Sequence, residues 1–201
     1  KNTFLIFYKM SKGKLIVFSA PSGSGKTTIV KHLIKQKELN LKFPISATTR
    51  KKRNAEINKK DYYFISSDDF KNHIKNKAFL EWEEVYENNF YGTLNSEVNR
   101  IWELGKNVIF DIDVKGGLAI KNKYPNNTLA VFVMPPSIDE LKQRLKKRKT
   151  EPDHKINIRI SKAKIELTKA PSFDFVIENN DLKAAKEKAY ELVSNFLKSQ
   201  I

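Results

Sequence analysis

Cysteine is absent from this sequence of 201 residues. That excludes a disulfide framework and a thiolate metal site, and it fits a reducing compartment. Long apolar runs are missing too. None approaches the roughly 18 residues of a membrane span, so the chain is expected to be soluble, cytoplasmic and without a membrane partner. The apolar stretch Phe4-Leu5-Ile6-Phe7-Tyr8 is shorter than a signal-peptide core and lacks a small-residue cleavage site; it reads as an added strand or an ordered tail. Lys1 stands first instead of Met, which leaves an upstream targeting segment open. Acidic residues are the minority charge, 23 against 38 basic ones, for a net charge of +15. Such a balance invites a nucleic-acid reading. Arginine is scarce, however: six of the 38 cations, the other 32 being lysines scattered over every segment, commonly beside Asn. Arg50, Arg53, Arg144, Arg148 and Arg159 fall in three short stretches, with Arg100 alone outside them. Where any solvated cation suffices the sequence has Lys; where it keeps Arg, a planar bidentate fork suited to phosphate is implied. The expected ligands are small and phosphorylated, with no nucleic-acid partner.

The organising stretch is Phe18-Ser19-Ala20-Pro21-Ser22-Gly23-Ser24-Gly25-Lys26-Thr27-Thr28. Leu15-Ile16-Val17-Phe18 before it has the length of a buried strand, and Ile29, Val30, Leu33 and Ile34 after it recur at helical spacing. A strand feeding a glycine loop that opens a helix is the geometry of a phosphate-binding loop. Backbone N–H groups converge, the helix N-terminus adds its dipole, Lys26 reaches the outer phosphates, and the Thr27 hydroxyl can ligate Mg²⁺. Ala20 occupies the usual first glycine, which is harmless at negative φ and costly at positive φ.

Downstream, Ser46-Ala47-Thr48-Thr49-Arg50-Lys51-Lys52-Arg53 reads either as a strand edge presenting oxygens and guanidiniums to an anion or as a basic surface loop. Lys60-Asp61-Tyr62-Tyr63-Phe64-Ile65 is strand-like, and Ser67-Asp68-Asp69 is expected to cap a helix carrying Phe70 and Ile74. Within Phe79-Leu80-Glu81-Trp82, Glu81 is exposed by alternation or held to bind donors. Asn88-Asn89 turns into a further strand through Tyr91-Gly92-Thr93, so residues 45–94 form a mostly β insertion holding a second site. Helix 94–104 ends at Gly105. Asn107-Val108-Ile109-Phe110-Asp111-Ile112-Asp113 is an apolar strand with acids at its carboxyl end, where ligands bind in open parallel sheets. Asp111 suits a Mg²⁺-nucleotide, directly or through water. An N-cap role fits Asp113 less well, since Gly116-Gly117 come three residues later. Ser137-Ile138-Asp139-Glu140 is a capping box. Arg144 and Arg148 share one face of the helix it starts, a polar stretch follows over 146–158, and Arg159 lies on the next helix, whose apolar positions are Ile160, Ala163 and Leu167. This is a lid or an exposed helix pair. Phe173-Asp174-Phe175-Val176-Ile177 is a last strand, and Asn179-Asn180-Asp181 caps a final amphipathic helix.

Taken in order, Ser-Gly-Ser-Gly-Lys-Thr at 22–27, Ser-Ala-Thr-Thr-Arg-Lys-Lys-Arg at 46–53, Asp-Tyr-Tyr-Phe at 61–64, Phe-Leu-Glu-Trp at 79–82, Tyr91-Gly92-Thr93, Asp111-Ile112-Asp113 and the later arginines resemble the guanylate kinases, nucleoside monophosphate kinases of the P-loop type. The resemblance spans about 14–197. It implies an α/β fold: a P-loop NTPase-type parallel sheet flanked by helices (10–44, 95–137 and 165–201), a small mostly-β GMP-binding insertion (45–94) and a helical lid (138–164). It implies transfer of the γ-phosphate of Mg-ATP to GMP or dGMP by a monomer. ATP would be held by Ser22, Gly23, Ser24, Gly25, Lys26, Thr27, Thr28 and Asn179, and Mg²⁺ by Thr27 and Asp111. The GMP phosphate would lie on Arg50, Arg53, Tyr62, Tyr91 and Arg159. Its base would be read by Glu81 and Asp113, which accept from N1–H and the 2-amino group, and by Ser46 and Thr93, which donate to O6. Lys26, Arg50, Arg144, Arg148 and Arg159 would stabilise the transferred phosphoryl.

Departures from the family pattern are Ala20, Lys52, Ala55, Lys59 and Lys115; none removes a proposed ligand. Two competing readings are a non-catalytic phosphopeptide-binding module of the same fold and a basic nucleic-acid-binding ATPase. Lys26 and Thr27 argue against the first. The scattered lysines and the lack of an aromatic-interleaved basic groove argue against the second.

Overall fold

Strand β1 (Leu15–Ser19) is buried along its whole length, and its alternation divides the core in two. Ile16 and Phe18 join Ile29, Val30 and Leu33 on one side; Leu15 and Val17 join Val98, Ile101 and Trp102 on the other. A strand apolar on both faces needs cover on both, and helices supply it. This computed structural model describes residues 13–147 and 152–199. The expected strand or tail at 4–8 and Arg148 lie outside the described residues.

Five parallel strands make the main sheet in the order β2 (Leu41–Lys42), β7 (Asn107–Ile112), β1, β8 (Thr128–Met134), β9 (Phe175–Glu178). α1 (Lys26–Ile34) and α7 (Leu182–Lys198) cover the first face through Val30, Leu33, Ala185, Ala189 and Val193. α3 (Asn95–Glu103) and α4 (Val114–Lys123) cover the second. α4 lies so close to β1 that a Cβ on Gly117 would fall 2.3 Å from Ser19 Oγ. Only glycine permits that approach. Because β7 and β8 flank β1 on opposite sides, the carboxyl end of β1 lies at a topological switch point, the crevice where open α/β sheets bind ligands.

The insertion forms a separate mixed sheet, β4 (Tyr63–Phe64), β3 (Ala47–Thr48), β6 (Asn89–Leu94), β5 (Phe79–Tyr86), with α2 (Ser67–Lys75) beside it. Two of its strands have only two residues each, so ladder hydrogen bonds alone cannot hold it. Phe70 stacks on Phe79 and Phe90 at centroid distances of 4.3 and 5.3 Å in a small core of its own. Burying each ring contributes about 2 kcal/mol. Buried Glu97 of α3 ties this sheet to the main one: it accepts from Ile45 N, the Tyr63 hydroxyl and both Nε and Nη2 of Arg100. The arginine outside the three clusters is therefore also a bidentate fork, but for a structural carboxylate.

α2 is capped by Ser66, whose hydroxyl accepts from Asp69 N, one residue before the expected Ser67. α5 (Ile138–Lys147) starts as the capping box predicts, with Ser137 Oγ accepting from Glu140 N. α6 (Asp153–Leu167) packs against α5, and the two form an arm beside the end of β1 that carries the glycine loop.

Candidate active site

The loop after β1 bends through two left-handed glycines, Gly23 at φ 95° and Gly25 at φ 93°. A Cβ on Gly25 would also fall 2.2 Å from Asn179 Nδ2. Ala20 is not among the positive-φ residues, so alanine costs nothing there. Gly25 begins α1 with no capping side chain and no acid in the first turn, which leaves amide donors and a positive dipole end for an anion. Asn179, buried at the end of β9, donates to the Ser24 carbonyl at 2.7 Å and so holds the loop from behind. The Ser24 hydroxyl is buried with no hydrogen-bond partner among the described residues.

A cavity of about 310 Å³ lies over this loop, lined by Ser22, Gly23, Gly25, Lys26, Thr27 and Thr28 together with Asp111, Asp113 and Arg159. Lys26 Nζ is 2.6 Å from Asp111 Oδ1 and 2.7 Å from the Ile112 carbonyl. Asp111 reaches it because β1 and β7 pair in register with Phe18 beside Asp111. Arg159 of α6 donates to Ser22 Oγ at 2.9 Å, joining the helical arm to the loop. Arg144 does not line this cavity; it pairs with Glu140 one turn back on α5, at 3.0 Å.

A second cavity of about 280 Å³ opens on the insertion sheet, lined by Ser46, Tyr62, Glu81, Tyr91 and Thr93 and again by Asp111 and Asp113. The two cavities therefore share a wall. Glu81 stands opposite Thr93 in the β5–β6 register. Burial, with the nearby Asp113 charge, pushes the Glu81 carboxyl up to about 7. Asp113 proves to be the N-cap of α4: its Oδ1 accepts from Gly116 N at 2.8 Å. Three residues is the normal reach of a capping oxygen, so the spacing that argued against the cap supports it. Burial would raise the Asp113 pKa, but the neighbouring Glu83 carboxyl and the hydrogen bond from Gly116 outweigh it and hold the group low.

Arg50 lies beside this cavity, its guanidinium 5.0 Å from the Tyr62 ring centre, with Nε donating to the Tyr91 hydroxyl at 3.1 Å. Glu56 takes Nη1 and Nη2 at 2.7 and 2.5 Å, and the Lys51 carbonyl takes Nη1 again. Four of the five guanidinium N–H donors are thereby directed, and the edge toward Tyr91 is the one left to a ligand. The bond from Arg50 pulls the Glu56 carboxyl down to about 2. Arg53 is exposed; its backbone N–H donates to Glu56 at 2.9 Å, and it does not line the cavity.

A family model for guanylate kinase matches residues 12–200. The guanylate kinase of Bacteroides thetaiotaomicron is 48% identical over 204 residues, covering 99% of this chain and 100% of that protein. The chain belongs to the guanylate kinase family. The family's enzyme from Porphyromonas gingivalis is 46% identical over 184 residues, 92% of this chain and 98% of that one. The crystal structure of guanylate kinase from Anaplasma phagocytophilum superposes with a TM-score of 0.71 at 25% identity, over 94% of this chain and 89% of that chain. As a guanylate kinase the chain is an ATP:GMP phosphotransferase, which phosphorylates GMP to GDP.

Sequence reasoning missed three side chains of this region. Glu56 is brought to Arg50 only by the turns of the 51–62 loop, which leave no periodic signal. Glu83 was within reach, since it follows Glu81 by two on β5 and so shares its face. Lys162 lies three residues beyond Arg159 on α6 and lines the phosphate-loop cavity with it. Of the family departures, Lys59 adopts φ 65°, a left-handed position where the usual glycine carries no strain.

Proposed function

We propose that the two cavities hold the two substrates of this transfer, the ATP phosphates over the glycine loop and GMP against the insertion sheet. The observation that carries this reading is the shared wall: Asp111 and Asp113 line both cavities, so donor and acceptor phosphates would meet beside Lys26. Loop amides and Lys26 bind the β- and γ-phosphates, and Thr28 extends the cradle. Arg50, Tyr62 and Tyr91 take the GMP phosphate, with Arg53 closing over it. Glu81 accepts from guanine N1–H and the 2-amino group, Asp113 offers the amino group the oxygen its cap bond leaves over, and Ser46 and Thr93 donate to O6. Adenine presents an amine at that position and lacks both donors, so it would leave buried groups unpaired.

The site suits a Mg-nucleotide. Thr27 and Asp111 are hard oxygen donors on the wall of the phosphate cavity, and one carboxylate is enough for an ion held mainly by phosphates and water. Bound with ATP, Mg²⁺ would neutralise phosphate charge. The transfer needs positioning and charge stabilisation more than covalent help from the protein. The α5–α6 arm acts as the lid. Arg159 already spans from it to the loop, and Arg144 and Arg148 follow when it closes and excludes water. The same closure would bring Arg159 toward the GMP phosphate. Among the described residues no helix is long and apolar enough to cross a membrane. We assign the enzyme to the cytoplasm as a monomer acting on free nucleotides, with no nucleic-acid partner; both cavities are of small-molecule size.

The test is Glu81→Gln, assayed with GMP and ATP varied separately. A rise of about a hundredfold in KM for GMP, with KM for ATP unchanged, is expected where a buried acceptor is replaced by an amide that cannot pair with both donors. An unchanged GMP KM, or an equal change for both substrates, would contradict the assignment.

A further inference from the structure

Three charged side chains that the scheme above leaves without a task face one another where the insertion sheet, α4 and α6 come together. Glu83 of β5, Lys115 of α4 and Lys162 of α6 line, with Asp113 and Leu118, a third cavity of about 420 Å³. Glu83 also lines the base-side cavity, and Lys162 also lines the phosphate-loop cavity, so each reaches from this junction into one substrate's site.

The charges there are not matched. Glu83 and Asp113, two acids, line the same cavity wall; the interaction with Asp113 first, then burial, lifts the Glu83 carboxyl to about 7. Facing them, Lys162 is 60% exposed and only loosely paired with Glu166, at 3.8 Å. It is the stronger source of positive field on Glu83, ahead of Lys115, and it acts on Asp113 as well. Lys115 stands on the helix that Asp113 caps, so it can neutralise the acids but cannot join them to the lid helix. Lys162 can. It stands one turn beyond Arg159, so an inward movement of α6 that seats Arg159 on the phosphates carries Lys162 toward the acids.

We propose that Glu83 and Lys162 are a positioning pair for the transfer, Lys162 crossing the cleft on closure to bridge Glu83 and Asp113 and so pinning the GMP-binding sheet to the lid helix. This rests on the assignment of GMP to the insertion sheet and of the lid to α5–α6. An exposed ion pair is worth little in isolation, but here the cation meets two acids in a site that closure desolvates. The pair touches neither reacting phosphate. Its effect is to hold the two substrate sites in one orientation.

The test is a charge-swap cycle on the full chain: Glu83→Lys, Lys162→Glu and the double swap. Each single swap should lower kcat/KM for GMP about tenfold, and the double swap should return to within about threefold of the starting value, as expected for side chains that couple directly. Small-angle scattering with GMP and a non-hydrolysable ATP analogue should show contraction in the parent and the double swap, and less in either single swap. Should a swapped chain fail to fold, Glu83→Gln and Lys162→Met form the same cycle, with the double variant no worse than the worse single. Independent losses that multiply in the double variant would overturn the pair, as would a loss in Lys115→Ala as large as in Lys162→Met. Glu81→Gln run in the same series separates the two readings. If it leaves GMP KM unchanged, the site assignment and the pair fall together; if it raises KM while the swap shows no recovery, the pair alone falls.

Discussion

Lys26 Nζ and Asp111 Oδ1 are 2.6 Å apart, and the Ile112 carbonyl takes a second hydrogen from the same ammonium. The lysine proposed to serve the phosphates is thus paired with the acid proposed to serve the metal. On the proposed assignment, nucleotide would exchange these partners, taking Lys26 to the phosphates and releasing Asp111. Lys26→Ala is expected to lower kcat by about 10²–10³, the usual cost of one preorganised charge at a transition state, with KM for GMP within about twofold. Asp111→Asn should instead raise several-fold the Mg²⁺ concentration needed for half-maximal rate at fixed ATP. A Mg²⁺ titration of each variant checks both, and an unchanged Mg²⁺ requirement in Asp111→Asn would remove that residue from the metal's surroundings.

Glu81 carries a pH signature because burial lifts its carboxyl to about 7. The folded protein keeps a proton there that the unfolded chain has lost in the ordinary carboxylate range. The resulting stabilisation is complete below that range and disappears as pH rises through about 7. Thermal unfolding without ligand should therefore show Tm falling between about pH 5 and 7, less steeply in Glu81→Gln. Guanine donors favour the ionised form, so GMP affinity should move the other way, strengthening by up to about tenfold per pH unit below 7. Glu81→Gln should flatten this dependence, keeping that of the GMP phosphate and of Glu83 on the same wall. Equal slopes in parent and variant would assign the effect to another group.

Glu56 fixes the direction of the Arg50 fork from the side away from Tyr91. Glu56→Gln should raise KM for GMP about tenfold, since one of two charge-assisted bonds weakens and the guanidinium gains freedom, and should leave KM for ATP unchanged. Steady-state kinetics with each substrate varied suffices. A kcat loss with no KM change would mean that Arg50 acts on the transferred phosphoryl and not on bound GMP.

What the sequence disclosed follows the range of each interaction. The glycine loop was legible because its geometry is local: strand, two glycines at positive φ and helix are contiguous, and the lysine lies within them. The central sheet was legible because β1, β7 and β8 are buried on both faces and read as apolar runs. The N-cap role of Asp113 was hidden by the glycines at 116–117; the acceptor needs only an amide three residues on, whatever side chain it bears. Glu56 depends on a loop that doubles back to Arg50, and Lys162 on the packing of α6 against α5 beside the glycine loop. Neither relation has a period or motif in the chain. Asn179 is expected among the ATP-binding residues by resemblance; its buried amide donates to the Ser24 carbonyl of the loop, a relation that requires β9 and the loop to be placed side by side first.

The most direct measurement is ADP formation from Mg-ATP with GMP, AMP, CMP and UMP offered separately, alongside a reaction with no acceptor. The account predicts turnover with GMP, with the other three and the acceptor-free control lower by about 10⁴-fold or more, because only guanine pairs the buried carboxylates and hydroxyls around Glu81. Comparable turnover with AMP would contradict the reading of Glu81, Asp113, Ser46 and Thr93 as the base-recognition set, and rapid ADP formation without any acceptor would contradict a lid that excludes water.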